Sequence, residues 1–157
     1  MELSKAGKDV YALMESVLKR FHMERLWLIE DKIEIVFREK ASTPGGRVVQ
    51  GRTKKVPPLL SVLAESEAIF VIELAEDEWA KMGPEEKEAL IDHHLCSMMV
   101  EENPQTSNIS YKIAPPDFIG YRGEIERHGV WRYLNHGDTE DEDNVIEQLF
   151  GKKGSDD

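Results

Sequence analysis

A single cysteine, Cys96, rules out any disulfide within the chain, which fits a reducing compartment. No apolar run approaches the length that spans a bilayer, and the start, Met1-Glu2-Leu3-Ser4-Lys5, lacks the basic-then-apolar order of a secretory signal. Positive charge is scarce: 20 Lys and Arg stand against 31 Asp and Glu, for a formal net charge of −11. Phosphate backbones are held by concentrated Lys and Arg, so the balance excludes a generic nucleic-acid binder and favours protein partners. Also missing are an internal repeat, a phosphate-binding glycine loop, a G-x-S-x-G elbow and a C-x-x-C pair. The expectation is a soluble protein of the host-cell cytoplasm, without membrane contact and of unspecified oligomeric state.

What is present is enough for one core. A chain of 157 residues with 40% hydrophobic composition is a comfortable length for a single domain. From Gly137 the chain reads Gly-Asp-Thr-Glu-Asp-Glu-Asp-Asn, a like-charge block that resists packing. The expected organisation is therefore one domain over 1–136 and an acidic, solvated tail over 137–157. Within that tail Val145, Ile146, Leu149 and Phe150 form a short amphipathic patch.

Periodicity supplies the elements. Val10, Leu13, Met14, Val17, Leu18 and Phe21 recur at helical spacing, predicting a helix from Ser4, its cap, to about Phe21. Leu26 to Glu30 reads either as a short strand or as more helix. Ile33, Ile35 and Phe37 alternate with Glu34, Val36 and Arg38, the pattern of a half-buried strand. After the break at Thr43-Pro44-Gly45-Gly46, the stretch Arg47 to Val56 is locally basic and Pro57-Pro58 closes it. The aliphatics Leu59, Leu60, Val62 and Leu63 follow, and Ala68 to Leu74 has the density of a central strand. Gly83-Pro84-Glu85-Glu86 opens a helix expected to run to about Glu102, where Asn103-Pro104 stops it. Leu90, His93, His94, Ser97 and Met98 fall on one inward stripe of that helix. Tyr111 to Ile113 suits a short strand, and a late helix capped by Asp117 runs from Phe118 to His128. The predicted class is α+β: a small mixed sheet with the motif helix, the N-terminal helix and the late helix packed on it.

The motif is the segment Glu88 to Ser97. In an H-E-x-x-H helix, histidines at i and i+4 grip zinc and the glutamate at i+1 takes a proton from the metal-bound water. Here His93 keeps the first position, His94 stands in the glutamate's place and Ser97 in the second histidine's. The pieces Ile33 to Ala41, Gly51-Arg52-Thr53-Lys54-Lys55, Ala68 to Trp79, Ala89 to Ser97 and Pro116 to Trp131 follow in an order and spacing that resembles the putative phage metallopeptidase family, which is similar in pattern to SprT-like, zincin-type peptidases. The resemblance covers about two-thirds of the chain. It implies that His93 matches the first zinc ligand, that Asp92 and Cys96 match its usual neighbours, and that Pro116, before Asp117, stands where a third histidine belongs.

Two functional readings follow. The first is a metallopeptidase-like phage or prophage protein without catalysis, a pseudoenzyme acting through protein–protein interaction as a regulator or anti-defence inhibitor, with no cofactor expected. The second is a zinc-dependent peptidase with altered ligation, in which His93, Cys96 and Asp117 form the metal set; residues three apart on a helix reach one ion. Arg52, Lys54 and Lys55 are the candidate contacts for a substrate or partner, or simply lysine-rich guards of a strand edge. A third reading, acidic mimicry of DNA, rests on net charge alone and runs against that basic stretch. His22, His128 and His136 read as surface or semi-buried residues, and Glu124 as an exposed helical acid.

Overall fold

The computed structural model describes residues 2–115 and 122–129. The chain divides into two compact units, Met1–Pro115 and Pro116–Asp157. In the first unit β1 (Leu3–Lys5) precedes α1 (Lys8–Phe21), then α2 (Met23–Leu26) and the first of two 3-10 turns, Trp27–Ile29, the other being Pro44–Gly46. Next come β2 (Ile33–Arg38), β3 (Gly51–Lys55), α3 (Pro58–Ala64), β4 (Phe70–Ala75) and α4 (Glu76–Lys81). The unit finishes with α5 (Pro84–Cys96) and the hairpin β5 (Met98–Glu102) and β6 (Ile109–Ile113).

The larger sheet has the order β1-β2-β4-β3, with β2 and β4 parallel and both outer pairs antiparallel, so it is mixed, as the α+β expectation required. Its register sets Ile33 beside Phe70 and Ile35 beside Ile72, and all four are buried along with Leu74. Each such side chain contributes about 1.5–3 kcal/mol by leaving water, which makes this face the anchor of the core. Val10, Met14, Val17 and Leu18 form the buried stripe of α1, and that helix packs along α5.

Three expectations need correction. Ser4 does not cap a helix: Leu3–Lys5 pairs antiparallel with Val36–Arg38, and α1 starts only after Gly7. Backbone pairing to a sheet edge outweighs a weak cap signal. Of the two readings open for Leu26 to Glu30, the structure takes the helical one, which needs no correction. The motif helix ends at Cys96 rather than near Glu102, because Met98–Glu102 forms a ladder with Ile109–Ile113. The turn between them is closed by the Asn103 amide donating to the Asn108 carbonyl at 2.8 Å. Nor does α5 carry one inward stripe, since Ala89, Leu90, Ile91, Asp92, His94 and Leu95 are all buried, which covers nearly its whole circumference.

In the second unit, α6 (Arg122–His128) ends at Gly129, whose positive φ of 68° suits a left-handed helix terminus. Glu124, expected on the solvent side of this helix, is fully buried with Ile125. Asp117, the aromatic residues Phe118, Tyr121, Trp131 and Tyr133, and the acidic segment 137–157 lie outside the described residues.

Candidate functional site

The motif residues occupy the last turn of α5 and the point where it becomes β5. Ser97 is the cap residue: its hydroxyl donates to the His94 carbonyl at 2.6 Å and its amide to the same oxygen at 3.2 Å. A serine that turns back onto the carbonyl three residues earlier satisfies a helix-end acceptor, a local structural use of the hydroxyl. His94 is buried, and its Nδ1 lies 2.9 Å from the Thr53 hydroxyl on β3. The strand approaches so closely that a methyl group at Gly51 would sit 2.8 Å from His94 Nε2. Gly51 is thus the residue that makes room for the imidazole. His93 is half-buried and meets His94 edge to face, with ring centroids 5.0 Å apart.

Beside them the structure gathers a group that the sequence does not advertise. His22, Asp92 and Cys96 place their donor atoms within 4.8 Å of one another, His22 and Asp92 buried and Cys96 half-buried. His22 Nε2 is 2.5 Å from Asp92 Oδ1, and the Cys96 thiol is 3.8 Å from the same oxygen. On the other side of the ring, Arg25 Nη2 lies 2.6 Å from His22 Nδ1. The guanidinium also donates to the Leu95 carbonyl at 3.1 Å and, through Nη1, to the Met98 carbonyl at 2.9 Å. A cation is well placed there, where the carbonyls ending α5 concentrate negative charge. In the sequence His22 is a histidine trailing a helix, with no distinguishing pattern; the one hint is Asp92, an acid four residues before Cys96 on the same helix face.

The protonation pattern follows from donor capacity. Arginine only donates, so Nδ1 of His22 must present its lone pair to Arg25, leaving the ring proton on Nε2 to be donated to Asp92. The result is an Arg25–His22–Asp92 relay with a neutral ring between opposite charges. Such a ring is a poor zinc ligand: a metal on Nε2 would displace the proton while Nδ1 still faced a donor, and the ring would have to become an imidazolate. Ligating histidines instead give their second N–H to an acceptor. The two positions singled out by the resemblance to an H-E-x-x-H helix fit zinc no better: Ser97 offers a hydroxyl already bonded to the helix end, and His94 is an imidazole where such a helix carries a carboxylate.

The predicted binding residues all lie on β3, an edge strand. Lys54 Nζ lies 2.9 Å from Oε2 of buried Glu73, whose other oxygen is 3.0 Å from Arg38, so Lys54 belongs to an ion triad on the sheet. Arg52 and Lys55 are exposed, with Arg52 reaching Ser42 Oγ at 3.4 Å. Cys96 sits with Asp92 and His22, and His93 half-buried one turn before it.

Comparison with known proteins adds one finding. The sequence profile of the family described as putative phage metallopeptidase matches residues 1–146. Searches of curated proteins and of solved structures returned no match. The match takes in both units, from β1 through α6, with the His93 helix inside it, and on that extent the chain belongs to the putative phage metallopeptidase family.

Proposed function

We propose that this family member no longer hydrolyses peptides and acts by binding a protein of the host or the phage, as a regulator or as an inhibitor of a host defence system. The observation that carries the reading is the fate of the two replaced positions. His94 is enclosed by Gly51 and Thr53, and Ser97 terminates its own helix, so both side chains have structural duties in place of catalytic ones. The scaffold around them is intact, which is what a protein retaining a binding role needs. The exposed cation Arg52 on the β3 edge is the contact we assign to the partner.

A phage-propagation assay in a defence-bearing host tests this. His93→Ala should leave the biological effect unchanged, whereas Arg52→Glu should abolish it. Loss of the effect in His93→Ala, accompanied by cleavage of an unfolded protein substrate by the parent chain, would overturn the reading. The second reading, a peptidase with altered ligation, draws on the His22–Asp92–Cys96 cluster. It requires that metal displace Arg25 from His22, and therefore that Arg25→Ala bind zinc more tightly than the parent.

A further inference from the structure

The helix α3 has no buried residue. Leu59, Leu60, Val62 and Leu63 are exposed at 70%, 53%, 74% and 73%, so a seven-residue helix turns four large aliphatic side chains to water. Scattered exposed leucines are ordinary, but a contiguous patch of several hundred Å² is a mark of an interaction surface. A helix this short is also unstable by itself in water, so it gains from being covered.

The charges at its two ends say by what. Lys55, exposed, closes β3 three residues before the helix, and Glu65, exposed, stands at its C-terminal end, so α3 is flanked by a cation on one side and an anion on the other. The helix between them is about 10 Å long. We propose that α3 is the contact between two copies of this chain, packed antiparallel about a two-fold axis. In that arrangement each Lys55 lies opposite the other copy's Glu65, and Leu59 and Leu63 of one helix meet those of its mate. A two-fold interface must be self-complementary, and an apolar stripe with opposite charges at its ends satisfies that condition. A parallel arrangement would set like charges together. The proposal is independent of whether the protein cleaves peptides, since α3 contributes no residue to the motif.

Sedimentation equilibrium of the full chain, from low to high micromolar concentration, tests it. The parent should show a monomer–dimer equilibrium. Lys55→Glu and Glu65→Lys should each raise the dissociation constant about tenfold, because every substitution breaks two symmetric ion pairs and sets two like charges in contact. The combined swap should restore it to within about threefold of the parent, a recovery that a merely sticky apolar patch would not show. Leu59→Glu with Leu63→Glu should give a monomer; both sites are exposed, and an unchanged melting curve confirms the fold. A parent that stays monomeric throughout, or a dimer indifferent to these changes, or a swap that fails to restore association, overturns the proposal.

Discussion

Removing Asp92 separates a buried relay from a chance neighbourhood. Asp92 and His22 are both almost completely excluded from solvent and sit 2.5 Å apart, with Arg25 completing the line. Breaking one side of a buried, hydrogen-bonded polar pair costs about 3–5 kcal/mol, since the survivor keeps its desolvation penalty without its partner. Asp92→Ala removes the acceptor of the Nε2 proton of His22, and His22→Ala removes the nearest donor to the Asp92 carboxylate. Each should therefore cost about 3–4 kcal/mol, lowering the melting temperature on the order of 10 °C in a chain of this size. The double variant should cost little more than either single one, leaving a coupling energy of about 2–3 kcal/mol. Urea unfolding followed by circular dichroism gives the free energies, and nitrogen-15 shifts of the imidazole give the tautomer, with the proton expected on Nε2. Single costs below about 1 kcal/mol, simple additivity in the double variant, or a proton on Nδ1 would refute the relay.

Other consequences are equally open to measurement. Gly51→Ala should destabilise by about 1–3 kcal/mol through the clash at 2.8 Å with His94 Nε2, and His94→Ala in the same chain should relieve part of that loss. Tyr11, whose hydroxyl donates to Glu34, has its ionisation pushed up to about 12 by burial and, secondarily, by that carboxylate. Its phenolate absorbance should thus emerge well above the ordinary range near pH 10, and Glu34→Gln should shift it only part of the way back. Because the folded form holds this proton more tightly than the unfolded one, its contribution to stability is complete below about pH 10 and lost as the pH rises towards 12. Glu73→Gln should weaken the sheet by about 1–3 kcal/mol, because Arg38 and Lys54 lose the charge between them.

Much of the fold was legible because it rests on strict local patterns. The alternation from Ile33 to Arg38 and the aliphatic run ending at Leu74 gave β2 and β4, and Gly83-Pro84 gave the start of α5. The misread ends share one cause, which is pairing between distant residues. Leu3–Lys5 becomes a strand only by meeting β2, and Met98–Glu102 leaves the helix only by meeting β6. The replaced motif positions were visible in the chain, but the uses of their side chains were not, since Thr53 and Gly51 lie some forty residues from His94. His22 and Arg25 stayed hidden for the same reason, being seventy residues from Asp92 and Leu95.

We propose that zinc-dependent hydrolysis has lapsed in this chain. Its most direct test is metal content by inductively coupled plasma mass spectrometry, on tag-free protein purified without chelator. Substoichiometric zinc, the same in the parent and in His93→Ala, is the expected result. One equivalent of zinc in the parent, lost in His93→Ala and accompanied by peptidase turnover, would contradict it.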